Sequence, residues 1–314
     1  MCGIYGITSK TTIPNKLFNG LRKLEYRGYD SSGIAGLSQG NKNIVIKSTG
    51  PINHLKKKLK AIANISTGIA HTRWATHGEP LLKNTHPHNS GIIDIVHNGI
   101  IENYEDIKLH LKNKKYAFKS DTDSEVIAHL INYNYKKSKD MRSALINSVR
   151  ILEGSYAIGA INSDIPDKLF AASNGSPLII AKGANENYIA SDISPVLKDT
   201  QKYLTLGDGE FAELSPEKVI IFDKKNKSLI KKVITTSLKD RQVSLTGHKH
   251  FMHKEIYEQK AILNEMMSRY VGQASLLPNI FGPNTDRILS KIKHIHFVAC
   301  GTSYHASLVA KDWI

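Results

Sequence analysis

The sequence predicts an α+β layered domain over about residues 1–236, followed by a shorter piece of different character. Three observations carry that expectation. Short apolar runs of strand length recur at close spacing, residues with helical apolar spacing come in separate blocks, and the pattern lapses at SLKDRQVSLTGHKH, residues 237–250. That stretch has no clear period and contains Gly247, so it reads as a linker. A chain of 314 residues suits about two domains at roughly 150 residues each.

In order, GIYGIT (3–8) and GIAGL (33–37) read as strands with close backbone approach, because each is apolar and glycine-rich. Between them Leu17, Leu21 and Leu24 lie on one helical face within residues 13–26. Further strands are expected at 44–47, 67–71, 92–97, 155–161, 168–173, 177–181, 187–191, 202–206, 210–214 and 218–222. Helices are expected at 52–63, 104–113, 123–135 and 141–153, with Asn103 capping the second and Asp121 or Thr122 the third. Beyond the linker, Ile256, Lys260, Leu263, Met267 and Tyr270 mark a helix with one mostly apolar face. The run HIHFVAC reads as a strand, and GTSYHASLVAKDWI as a tight turn and the start of a helix.

Composition narrows the function classes. With 40% hydrophobic and 23% charged residues the chain is globular. No apolar run approaches the ~18 residues of a membrane span, and the first twenty residues do not have the form of a secretory signal. Cys2 and Cys300 are too few and too far apart in sequence for a disulfide framework, which makes a reducing, cytoplasmic setting the default expectation. The net charge of +15 is spread along the chain and comes from 35 Lys against 8 Arg. Readers of nucleic acid lean on arginine for bidentate contacts, so no nucleic-acid partner is expected.

Several residues could carry chemistry, and each pattern admits two readings. Cys2 follows only the initiator methionine, whose removal would leave a thiol and a free α-amine on one residue. Such an amine titrates at about 7.7–8.0 and can act as the thiol's base; alternatively Cys2 is a small apolar start to a buried strand. Asn98-Gly99, at the end of a strand, could supply oxyanion donors or form a hairpin turn. Arg73 suits a carboxylate. Asp123 suits an ammonium group, or favours a helix N-terminus as a plain acid. Five histidines, His71, His77, His86, His88 and His97, crowd together, yet their spacing fits no zinc pattern, so loop hydrogen bonding and substrate contacts are expected and no metal. Gly301-Thr302-Ser303, after an apolar run, is either a helix cap or a phosphate cradle.

In combination the motifs MCGI, LEYRGYDSSGIA, GIAHTRWATHGEP, HPH, VHNGIIENY, TDSEVIAHL, GSPLII, ASD, KEIYEQ and ACGTSY, in that order, closely resemble the glutamine–fructose-6-phosphate aminotransferase (isomerizing) family, also called glucosamine-6-phosphate synthases. The resemblance implies a four-layer αββα N-terminal-nucleophile glutaminase domain at 1–236, the linker at 237–250, and at 251–314 the start of an α/β sugar-isomerase (SIS) domain. It implies Cys2 as nucleophile and base, with Asn98 and Gly99 as the oxyanion hole. Arg73, Thr76, His77 and Asp123 would bind L-glutamine, Trp74 would gate an ammonia channel, and Thr302 and Ser303 would begin a sugar-phosphate site. The implied reaction hydrolyses L-glutamine to glutamate and ammonia, which then aminates fructose 6-phosphate on the way to glucosamine 6-phosphate, with no cofactor.

Two departures stand out. Lys260 occupies the place of a proline that usually follows EIYEQ, and the chain stops in the first helix of the first isomerase module. A complete synthase site is therefore not expected from this chain alone. A homodimer or a separate isomerase chain is the partner this suggests. Two alternatives remain: another class II glutamine amidotransferase, or a split-gene remnant without catalysis of its own.

Overall fold

The computed structural model of the chain describes residues 2–38, 43–238, 246–272, 277, 282, 284–299 and 301–314. It divides into two units, Met1–Ser244 and Leu245–Ile314.

In the first unit, strand β1 (Gly3–Ser9) leads to helix α1 (Pro14–Arg22), strands β2 (Ser31–Ser38) and β3 (Asn43–Thr49), short helix α2 (Asn53–Lys56) and strand β4 (Ile65–Arg73). Strands β5 (His88–Ser90) and β6 (Ile93–Ile101) precede helices α3 (Tyr104–Asn113), α4 (Glu125–Ser138) and α5 (Met141–Val149). Then come β7 (Gly154–Asn162), β8 (Leu169–Asn174), β9 (Leu178–Lys182), β10 (Glu186–Ala190) and β11 (Lys202–Leu206). The unit closes with β12 (Glu210–Leu214), β13 (Val219–Phe222), β14 (Ser228–Leu229) and β15 (Ile234–Thr235).

The strands form two sheets, ordered β15-β11-β9-β10-β1-β4-β2-β3 and β14-β13-β12-β8-β7-β6-β5. Side chains alternate across each strand, so every central strand feeds two layers. On β1, Ile4 joins an apolar cluster with Val96, Ala157 and Ile161 of the second sheet, while Tyr5 and Ile7 join the cluster with Leu17 and Leu21 of α1. On β7, Tyr156 and Ile158 turn the other way, into a third cluster with Ile127 and Ile131 of α4 and Leu145 of α5. Helix, sheet, sheet, helix is the resulting order of layers, an α+β fold of the αββα type.

Some elements differ from expectation. The helix expected at 13–26 ends at Arg22. The Lys23 and Leu24 N–H groups bond back three residues, to Gly20 O and Leu21 O, and a 3-10 turn follows at Glu25–Arg27. The helix expected at 52–63 is α2 plus a 3-10 turn, Leu59–Ile62. Tighter winding keeps Ile52, Leu55 and Ile62 all buried. Helix α5 stops at Val149, four residues short of the expected end. Neither Asp121 nor Thr122 caps α4, whose N-cap is Ser124 with no side-chain cap. Asn103 is the N-cap residue of α3, but its side chain bonds Ile151 O and Glu153 N instead.

The second unit holds α6 (Phe251–Tyr270), α7 (Thr285–Leu289) and α8 (Gly301–Trp313). The strand expected at 295–299 is absent: residues 292–299 have no regular structure. An apolar run becomes a strand only where another strand completes its ladder, and none of the described strands pairs with it. Cys300 and half of the expected linker, residues 239–245, lie outside the described residues.

Candidate functional site

Strand β1 lies between β10 and β4 at the centre of its sheet, with Gly3 opposite Thr72. That register sets Cys2 beside the end of β4, where Arg73 and Trp74 follow. The Cys2 Sγ is 3.3 Å from Trp74 N, whose N–H it accepts, and 3.5 Å from Trp74 O. Burial pushes the thiol above its ordinary pKa, while the Trp74 N–H and the charges of Arg73 and Arg27 pull it down. A thiol so raised is protonated at neutral pH and needs a base to react.

Asn98 and Gly99 do not form a hairpin turn. They lie inside β6, opposite Ala157 and Tyr156 of β7. Gly99 has φ +126°, and a Cβ there would stand 2.0 Å from Ser155 O, so the position tolerates no side chain. The Asn98 Nδ2 donates to Cys2 O at 3.1 Å. Its Oδ1 lies 3.0 Å from His71 Nε2.

Arg73 is buried, and its guanidinium donates to three backbone carbonyls, His77 O at 2.5 Å, Gly78 O at 2.8 Å and Glu79 O at 3.0 Å. Three of the five N–H groups are thereby spent on shaping the 77–79 turn, which leaves Nε and one Nη1 hydrogen. Burial lowers its pKa against the charges of Cys2, Asp30 and Asp123, though a guanidinium stays charged in any protein. The buried Asp123 carboxylate accepts the Ile101 N–H at 2.8 Å and lies 3.9 Å from His77 Nδ1. Thr76 is exposed and His77 half-buried. Trp74 is exposed and leans on Tyr29, ring centroids 5.7 Å apart.

The structure thus brings Cys2, Arg73, Trp74, Asn98, Gly99 and Asp123 to the ends of adjacent strands of both sheets, with His77 at the rim. Thr302 and Ser303 begin α8 in the second unit and are exposed. A concave groove of about 920 Å³, lined by Val45, Lys47, Lys58 and Pro87 among others, opens elsewhere on the first unit and includes none of these residues.

Three of the five histidines lie on strands, His71 on β4, His88 on β5 and His97 on β6, while His77 and His86 lie in loops as expected. His71, His86, His88 and His97 are buried, and only His77 is partly open. Burial pushes His71 down to about 3 and lowers His86, His88 and His97 as well. Among the described residues no group of three or more His, Cys, Asp or Glu is placed to hold a metal ion. No helix among them is long and apolar enough to cross a membrane.

Three supports escaped the reading of residue types. Asp30 Oδ2 accepts the Ala75 N–H at 2.8 Å and holds the turn after Trp74. At Gly28, a Cβ would stand 2.6 Å from both Arg73 C and Trp74 N, so the chain passes against the site there. Ser191 anchors the start of β1 by accepting the Ile4 N–H at 3.0 Å. Their only sequence signal is membership of the YRGYDS and ASD blocks.

The chain resembles known glutamine amidotransferases in sequence and in fold. A family described as a glutamine amidotransferase domain matches residues 73–198. The chain is similar along its whole length to glutamine–fructose-6-phosphate aminotransferases (isomerizing). It is 40% identical over 316 residues to that of Idiomarina loihiensis and 43% identical over 319 residues to that of Buchnera aphidicola subsp. Baizongia pistaciae. All of this chain and 52% of each relative are covered, so the chain spans about half the length of the curated relatives it matches. Among solved structures, the glutamine phosphoribosylpyrophosphate amidotransferase of B. subtilis superposes with a TM-score of 0.61 at 25% identity, covering 72% of this chain and 50% of that one.

Proposed function

We propose that this chain, which belongs to the glutamine–fructose-6-phosphate aminotransferase family, hydrolyses L-glutamine to L-glutamate and ammonia at Cys2. The observation that supports it most directly is the Cys2 thiol seated on the Trp74 N–H, with Arg73 at the end of β4 in the same sheet and Asn98 of β6, in the other sheet, bonded to the Cys2 carbonyl. With Met1 removed, the α-amine of Cys2 takes the thiol proton and the sulfur attacks the γ-carboxamide carbon. A C–S bond forms as the carbonyl becomes an oxyanion. The second Nδ2 hydrogen of Asn98 and the Gly99 N–H serve that oxyanion. The C–N bond then breaks, ammonia leaves with the proton returned by the amine, and water hydrolyses the thioester.

Arg73 takes the α-carboxylate with its two uncommitted N–H groups, and Asp123 takes the α-ammonium, with Thr76 and His77 completing the glutamine site. Trp74, exposed beside the thiol, gates the way out for ammonia. That ammonia aminates fructose 6-phosphate in the amino-sugar reaction of the family, and delivery away from bulk water preserves it as an unprotonated nucleophile. Residues 251–314 form the start of a sugar-isomerase domain, with Thr302 and Ser303 as part of its phosphate site. The partner is a second copy of the chain or a separate isomerase chain, in the cytoplasm.

Glutamate release from L-glutamine by the purified chain, in the presence of a chelator, tests the proposal. Activity that disappears in Cys2→Ala, and in protein with a blocked N-terminus and the thiol intact, supports it. Hydrolysis that survives replacement of Cys2 rejects it.

A further inference from the structure

His71 belongs to no step above, yet its ring sits directly behind Asn98. Its Nε2 lies 3.0 Å from the backbone oxygen of His97 and 3.0 Å from Asn98 Oδ1. The His97 carbonyl can only accept, so Nε2 must carry the proton. An Nε2–H in that position in turn requires an oxygen from Asn98, since an NH2 group there would set hydrogen against hydrogen. The other ring nitrogen, Nδ1, has no partner among the described residues. The ring is stacked on His86 at a centroid distance of 4.0 Å, which fixes its plane.

We propose that His71 is a positioning residue for glutamine hydrolysis: as an Nε2–H tautomer it fixes the Asn98 side-chain amide with Oδ1 inward and Nδ2 toward Cys2. With the amide held this way, one Nδ2 hydrogen rests on Cys2 O at 3.1 Å and the other is free to meet an oxyanion. Turned over, the amide would present its oxygen to both, and the donor would be lost. Burial, which drives His71 down to about 3, keeps the ring neutral throughout the working range, so the orientation does not change with pH.

The inference rests on the glutaminase reading for its kinetic consequence but not for its structural one, and the experiment separates them. In protein labelled with ¹⁵N-histidine, the ring nitrogen shifts of His71 should report the neutral Nε2–H tautomer at pH 6–8. The Nδ1–H tautomer or a protonated ring overturns the inference whether or not the protein hydrolyses glutamine. Kinetically, His71→Leu should lower kcat by roughly tenfold or more, up to the hundredfold or so that loss of an oxyanion donor costs, with KM within about twofold. His71→Gln, which keeps a donor at similar reach, should recover most of the rate. His71→Leu combined with Asn98→Ala should be no slower than Asn98→Ala alone, because both remove the same donor. A folded His71→Leu variant with unchanged kcat, or losses that multiply in the double variant, overturns it. If the unsubstituted chain does not hydrolyse glutamine at all, the glutaminase reading fails, and the tautomer still decides the placement of His71.

Discussion

Helices α1 and α6 carry the same kind of apolar spacing and meet different fates. Leu17 and Leu21 of α1 are fully buried, against Tyr5 and Ile7 of the sheet beneath. Leu263 and Met267 of α6, also four residues apart, are 59% and 57% exposed. The contrast extends to the two units. The first holds three apolar clusters, whereas no described apolar side chain after residue 244 is buried. Periodicity says which face of a helix wants cover; only a surface to meet it makes that face a core.

The proposed chemistry divides along the same line, and substitutions can break or sharpen that division. Asn98→Ala in the first unit should cost about a hundred- to a thousandfold in kcat for glutamine hydrolysis. Arg73→Ala should mainly raise KM, by about ten- to a hundredfold, since charge-assisted hydrogen bonds contribute roughly 1.5–3 kcal/mol. Some loss of kcat is expected with it, because the same guanidinium holds the carbonyls of 77–79. Thr302→Ala with Ser303→Ala, in the second unit, should leave glutamine kinetics unchanged. Steady-state assays of the three proteins decide it: an Asn98→Ala effect confined to KM, or a large effect at 302–303, would abolish the division of roles.

Most strands were legible because alternation and glycine-rich runs are local signals, and α3 follows its predicted span from Tyr104 to Asn113. The candidate site was legible as motifs, Cys2, HTRWATHG and VHNG, without its geometry. That geometry depends on the register of Gly3 against Thr72, a pairing between residues far apart in sequence which no local pattern encodes. For the same reason Asp30, Ser191 and His71 could not be read: each acts on a backbone or side-chain partner at least 27 residues away. The error at 295–299 is the reverse case. An apolar composition favoured a strand, but with no neighbour among the described strands to complete its hydrogen bonds there is no ladder.

A stability comparison sharpens the contrast between the two helices. Leu17→Ala should cost about 2–5 kcal/mol, since it opens a cavity in a fully packed layer. For a unit of this size that lowers Tm by roughly 5–15 °C. Leu263→Ala should stay within about 0.5 kcal/mol, as exposed positions do. Thermal denaturation followed by circular dichroism tests both. A Leu263→Ala variant as damaged as Leu17→Ala would mean that the apolar face of α6 is covered in solution.

A further expected effect lies within the first unit and depends on pH. Asp94 is fully buried on β6, with Oδ1 bonded to Asn89 at 2.9 Å and Oδ2 without a partner among the described residues. Burial raises its pKa from 3.8 to about 6, against the pull of the Asn89 hydrogen bond and the Lys47 charge. Between those two values the folded state holds a proton that the unfolded state has released, so stability from this group is greatest below pH 3.8 and is lost as pH rises through 6. The full span is about 3 kcal/mol at most, taking about 1.4 kcal/mol per pH unit. Asp94→Asn keeps an oxygen for Asn89 and has no charge to bury. Its advantage over the unsubstituted protein should therefore grow from pH 4.5 to 7.5 and level off above. Urea unfolding of both proteins across that range measures the difference directly, free of the background set by the other charges. A difference that stays flat with pH would show that Asp94 ionises in the folded state as readily as in the unfolded chain.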